Sequence, residues 1–130
     1  MIITSTLVAK RNRLLVRKGD EYISLPVEEI ALIYRSDAVV FVIDYNEKKY
    51  LCEKNLTLLE QELDETLFFR ANRQYLININ SIRGFKVYEK VKLQVFLKGP
   101  LIHHEIIISQ KTAPVFKKWI SEEGWTLEAR

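Results

Sequence analysis

Short runs of β-favouring residues, broken every few positions by turn chemistry, leave this chain little choice but a mainly β fold. The clearest pair spans 82–88 and 91–97. There Leu93, Val95 and Leu97 alternate with Lys92, Gln94 and Lys98, so one face is apolar and the other basic. Leu14-Leu15-Val16 and Tyr22-Ile23-Ser24-Leu25 flank Lys18-Gly19-Asp20, a hairpin whose glycine supplies the positive φ of a tight turn. Pro26 cannot donate to a ladder and ends the second strand, leaving Val27-Glu28-Glu29 as a turn or a single helical turn. Strands follow at 30–34 and 38–44, joined by Arg35-Ser36-Asp37; the second is apolar enough to be buried on both faces. A turn at 45–48 returns the chain as a strand at 49–53, and 105–108 is the last strand.

Only two segments carry a helical period. Asn55 is a good N-cap, with Leu56, Leu59 and Leu63 on one face and Glu60 and Glu62 pointing out. Thr112 caps a final helix with Pro114 in its first turn, and Val115, Phe116, Trp119 and Ile120 form its apolar face. Gly124 and an acidic tail end the domain. The expectation is a single domain over 1–130, core about 12–120, mainly β, with roughly eight to ten short strands and two short helices.

The chemistry carried by this frame is narrow. His103-His104 are adjacent, so on a strand their rings face opposite ways, and no further Cys or His stands at ligand spacing. Cys52, the only cysteine, rules out an intrachain disulfide and reads as a half-buried structural thiol. Glycine-rich phosphate loops and Gly-x-Ser-x-Gly elbows are absent from the sequence. No enzyme, metal, cofactor or small-molecule substrate is therefore expected. The longest apolar run, 38–43, is far short of a membrane span, and the start lacks the pattern of a signal peptide. The cytoplasm is the expected compartment.

Charge and polar chemistry point elsewhere. Residues 70–118 carry ten Lys and Arg against two Asp and Glu, whereas 1–69 carry nine against twelve. A basic segment in an otherwise mildly acidic chain is the footprint of a polyanion binder. It begins with a polar knot, Arg70-Ala71-Asn72-Arg73-Gln74, set between Leu67-Phe68-Phe69 and Tyr75-Leu76-Ile77. Arg, Asn and Gln carry the paired donors and acceptors that match base edges in a major groove. Arg35-Ser36-Asp37 and Ser109-Gln110-Lys111 also follow apolar runs, giving three polar segments at strand ends that one sheet edge can gather. Tyr75, Phe85, Tyr88 and Phe96 offer another option, a stacking platform for single strands, although their apolar settings favour core packing.

At these residues the chain resembles the LytTR DNA-binding domains, output modules of a class of bacterial response regulators. The family pattern is a β-rich preamble, a short leucine-rich helix, then Phe-x-Arg-x-His-Arg-Ser-(Tyr/Phe)-x-(Val/Ile)-Asn. Here it stands as Phe68-Phe69-Arg70-Ala71-Asn72-Arg73-Gln74-Tyr75-Leu76-Ile77-Asn78, with Ile82 after it. The family's closing apolar strand, Ser-Arg and helix are matched by Ile106-Ile107-Ile108-Ser109-Gln110-Lys111. Asn72 and Gln74 replace the usual His and Ser, and Gln110-Lys111 replaces the arginine-bearing end; hydrogen-bonding groups survive while the preferred base sequence changes.

The resemblance implies about ten strands in three small antiparallel sheets, with loops rather than a recognition helix entering successive major grooves of double-stranded DNA. It makes Arg73 the first choice for base contact, with Asn72 and Gln74 beside it and Arg70 at the edge of the knot. Lys111 takes the arginine's place after Gln110 and Ser109, and Arg35, Ser36 and Asp37 form the first contacting loop. It also implies a transcriptional regulator, either standing alone or as the output half of a longer two-component chain. The second option brings a receiver domain and a histidine kinase as partners, and a dimer on DNA is open to both. The competing expectations are a β-rich adaptor of the same fold and a single-stranded nucleic-acid-binding module. Asn78 and Ser81 read as turn-formers, and Tyr75, Leu76 and Ile77 as anchors of the knot.

Overall fold

A computed structural model describes residues 10–121. Strands β1 (Arg13–Lys18) and β2 (Glu21–Pro26) form the first hairpin, closed at Lys18 opposite Glu21. Gly19 takes φ +63° in its turn, where a Cβ would be strained. Pro26 is the last residue of β2, and Val27–Glu29 is one 3₁₀ turn. Next come β3 (Ile30–Ser36), β4 (Val39–Asp44) and β5 (Lys49–Cys52). Helix α1 (Leu56–Glu62) starts where the Asn55 carboxamide oxygen accepts the Leu58 N–H at 2.8 Å. It is followed by β6 (Phe68–Arg70), β7 (Tyr75–Asn78), β8 (Ile82–Tyr88), β9 (Lys92–Leu97), β10 (Ile106–Ile108) and α2 (Ala113–Ser121).

The ten strands form two sheets, not three: one of seven in the order β2-β1-β5-β4-β3-β7-β6, and one of three in the order β10-β9-β8. Arg17 opposite Leu51 is the pair that merges the first hairpin with the central strands. Backbone pairing makes that junction, so no side-chain pattern announces it. Alternation along the central strands then feeds two cores. Ile33 and Leu76 face one core, which α1 closes with Leu56, Leu59 and Leu63. Leu32 and Ile77 face the other, filled by Leu93, Val95, Leu97, Ile106 and Ile108 of the small sheet and Phe116 of α2. One residue of shift in β3 or β7 would exchange these sets, so the register is strongly specified.

Three local expectations change. β4 is buried on both faces only at its end; near its start Val39 is exposed and Phe41 half-buried. Val115 is 58% exposed, because Phe116, Trp119 and Ile120 already turn the apolar side of α2 inward. His103 ends a 3₁₀ turn (Gly99–His103) instead of lying on a strand, so its ring and that of His104 sit side by side, centroids 4.4 Å apart. Gly124 and the acidic tail lie outside the described residues.

Buried polar groups tie neighbouring strands and turns together. The Asn78 amide donates to the Ile30 carbonyl at 2.8 Å, and the Ser81 hydroxyl to the Ala31 carbonyl at 2.7 Å. Asn78 also accepts the Asn80 N–H, so these turn-formers double as ties to β3. The Asp44 carboxylate accepts the Asn46 and Lys48 N–H groups and the Tyr50 hydroxyl, which closes the β4–β5 turn. Cys52 is buried, and that burial raises its thiol pKa.

Candidate nucleic-acid interface

The polar knot is a hairpin loop between β6 and β7, closed by the Ala71 N–H donating to the Tyr75 carbonyl at 2.9 Å. Ala71 is buried and anchors the loop beneath its polar residues. The Asn72 carboxamide oxygen accepts the N–H of Gln74 at 2.8 Å and of Tyr75 at 3.1 Å, an Asx turn that fixes the backbone. Its amide donates to the Ile107 carbonyl of β10 at 2.9 Å. Arg70 folds under the loop: Nε donates to the Asn72 carbonyl at 2.6 Å, and its terminal nitrogens reach the Arg73 carbonyl and Glu60 of α1. A guanidinium with three such acceptors is a brace, not a free donor.

This accounting leaves two side chains of the knot uncommitted. Arg73 and Gln74 are exposed, and neither side chain bonds another described residue. The five positions of the knot thus divide by geometry into a buried apolar foot, two braces and two free heads. The sequence marked all the polar ones as candidates, because side-chain type alone does not reveal which donors the fold consumes.

The other polar segments converge on the same edge. The Arg35 N–H donates to the Gln74 carbonyl at 2.9 Å, which sets the end of β3 beside the knot. β3 runs through Ser36, so the expected loop shrinks to a two-residue turn, Asp37 and Ala38, with φ +50° and +66°. Arg35 and Ser36 are exposed strand residues, and Asp37 shapes the turn. On the other side, the Asn72 tie to β10 brings Ser109-Gln110-Lys111 alongside. The Ser109 carbonyl accepts the Ala113 N–H at 2.9 Å and its hydroxyl lies 3.3 Å from the Thr112 hydroxyl, so Ser109 organises the entry to α2. Gln110 and Lys111 remain exposed, and Lys111 shares with Arg70 a groove of about 530 Å³ walled by Phe69 and Trp119.

Behind the knot, the Tyr75 hydroxyl lies 3.1 Å from His104 Nδ1. Burial, then His103 and Lys49 nearby, push the His104 pKa down to about 4, so the ring is neutral at neutral pH. With its proton on Nε2, it accepts from Tyr75 and braces the first residue of β7. The edge charge therefore comes from Arg35, Arg73 and Lys111, opposed by Asp37, while Glu60 offsets Arg70. The four aromatics weighed as a platform do not form one surface: only Tyr88 and Phe96 share a face, the outer one of the small sheet. Tyr75 stacks on Tyr34 in the large sheet, Phe85 meets Phe116 edge-on, and Arg83 and Lys86 cover Phe96. Among the described residues no three His, Cys, Asp or Glu are grouped to hold a metal, and no helix is long and apolar enough to cross a membrane.

A mainly β frame that stands cationic and amide side chains off one sheet edge is the architecture of a loop-based polyanion binder. Comparison with known proteins gives that class its family. The family model described as the LytTr DNA-binding domain matches residues 20–121. A solved LytTr DNA-binding domain, from a response regulator of Bacillus cereus, shares the fold with a TM-score of 0.73. That match covers 85% of this chain and 98% of the other at 19% identity. Curated proteins gave no match. The chain belongs to the LytTR family of DNA-binding domains.

Proposed function

We propose that this chain is a sequence-specific, double-stranded-DNA-binding regulator that reads successive major grooves through three strand-end segments. Arg73 and Gln74 enter the central groove as base-reading heads. Gln110 and Lys111 on one side, and Arg35 and Ser36 on the other, contact bases or phosphates at its margins. Arg70, Asn72 and Ser109 hold these segments in register, and Asp37 sets the β3–β4 turn. The observation that carries this reading is the pair of ties on the knot, Arg35 N–H to the Gln74 carbonyl and Asn72 to the Ile107 carbonyl, each 2.9 Å. They fix the spacing of three donor groups before DNA arrives, which lowers the ordering cost of binding.

The chain acts as one domain in the cytoplasm, without catalysis, as the output module of a two-component system. A receiver domain and a histidine kinase stand upstream, and two copies meet on adjacent half-sites. The test is Arg73→Ala against a site selected from random duplexes and against its scrambled sequence. A bidentate arginine–guanine contact contributes about 1–3 kcal/mol of discrimination, so cognate affinity should fall by that amount and scrambled affinity by less. Equal losses on the two duplexes would remove Arg73 from base reading.

A further inference from the structure

A second basic groove opens beside the β3–β4 turn, on the side away from β10. It has a volume of about 390 Å³ and lies between that turn, the end of β1 and the β5–α1 connection. Arg17, Arg35, Lys54 and Asn55 bring donors to its walls, against one carboxylate, Glu53. Glu53 accepts the Tyr22 hydroxyl at 3.0 Å, and Lys54 is held by Glu62 of α1 at 2.6 Å. The Arg17 and Arg35 side chains have no acceptor among the described residues. Arg17 Nε is shut off from solvent as well and finds no acceptor among the described residues.

Sheet register gives this groove its place relative to the knot. Arg17 lies opposite Leu51, Leu51 opposite Phe41, Phe41 opposite Tyr34, and Tyr34 opposite Tyr75. One row of residues thus crosses five adjacent strands, from Arg17 to the base of the knot. Four inter-strand steps of about 4.8 Å put its ends roughly 19 Å apart. A duplex repeats every ~34 Å, so that distance is about half a turn. With the knot in a major groove and the axis along the row, the duplex presents flanking backbone at Arg17.

We infer that this groove is a phosphate clamp for duplex DNA, with Arg17 its main donor and Arg35 shared with the base-reading edge. The clamp rests on the DNA-binding reading and lengthens the footprint by about half a turn beyond the three polar segments. Arginine suits the role because its planar fork presents paired donors to phosphate oxygens. Glu53 lowers the clamp's affinity and sets the side from which backbone can approach.

The test measures binding to a mixed-sequence duplex of about 30 base pairs across a salt series. Wild type is compared with Arg17→Gln, Arg17→Lys and Glu53→Gln, each first checked for an unchanged melting temperature. Loss of one phosphate contact should flatten the slope of log affinity against log salt by about 0.9, which is roughly fivefold weaker binding near 0.15 M. Arg17→Lys should keep most of the slope, and Glu53→Gln should tighten binding without Arg17 being touched. Wild-type slope and affinity in Arg17→Gln, with no gain in Glu53→Gln, overturn the clamp and leave the DNA reading standing. Failure of wild type to bind any duplex overturns both. Should Arg17→Gln melt early, the Glu53→Gln result decides alone: tighter binding supports the clamp and unchanged binding refutes it.

Discussion

Replacing Asn72 by alanine separates holding the loop from reading the DNA. The side chain makes three hydrogen bonds: it donates to the Ile107 carbonyl at 2.9 Å and accepts from Gln74 and Tyr75 at 2.8 and 3.1 Å. Water can replace the partner of the exposed Gln74 N–H, so that loss is small. The other two bonds are partly buried, and at about 1 kcal/mol each their loss comes to roughly 2 kcal/mol. For a domain of this size that corresponds to a fall in melting temperature of roughly 8 °C. Binding should weaken by about fivefold, since the freed loop must be ordered at a cost near 1 kcal/mol when DNA arrives. Asn72→Asp keeps the acceptor for Gln74 and Tyr75 but loses the donor to Ile107, so its deficit isolates the tie to β10. Thermal unfolding followed by circular dichroism, with duplex binding by fluorescence anisotropy, measures both quantities. An alanine variant that melts with wild type yet loses duplex binding would refute the bracing role and make Asn72 a reader.

Two further outcomes test the frame. His104 holds its pKa near 4 in the folded chain, below the usual 6.5, so between those values the unfolded chain takes up a proton that the folded one refuses. Stability should therefore fall as pH drops through this window, by about 1–2 kcal/mol after solvent screening of a half-exposed ring. His104→Gln, which keeps an acceptor for Tyr75, should lose that decline; identical pH profiles would refute it. Tyr50→Phe leaves one oxygen of the buried Asp44 carboxylate without the hydroxyl now 2.8 Å away, costing about 1.5–3 kcal/mol in denaturant titrations. A cost under about 0.5 kcal/mol would mean that water replaces the hydroxyl, contrary to the burial of Asp44.

Elements whose signal is local were legible in the sequence. The β1–β2 turn needed Gly19, α1 needed Asn55 and its leucine spacing, and β9 needed the alternation of Leu93, Val95 and Leu97; each stands where its pattern put it. The Phe68 to Asn78 pattern was enough to mark the knot and its family, and the family model matches across it. The sheet count was not legible, since the Arg17–Leu51 pairing joins segments far apart in sequence through backbone groups common to all residues. The neighbourhood of the two histidines was also hidden, because the 3₁₀ turn over Gly99–His103 carries no periodic pattern that would announce it.

The knot shows the division most sharply. By itself the sequence determined that two arginines, an asparagine and a glutamine lie between two anchoring runs, in a basic segment suited to a polyanion. Only the tertiary structure decided which of them are free. Glu60, the Ile107 carbonyl and the loop's own carbonyls consume the donors of Arg70 and Asn72, while Arg73 and Gln74 keep theirs. A side chain's chemistry is local and can be read from its letter. Its availability depends on partners brought from α1 and β10, and packing alone brings them.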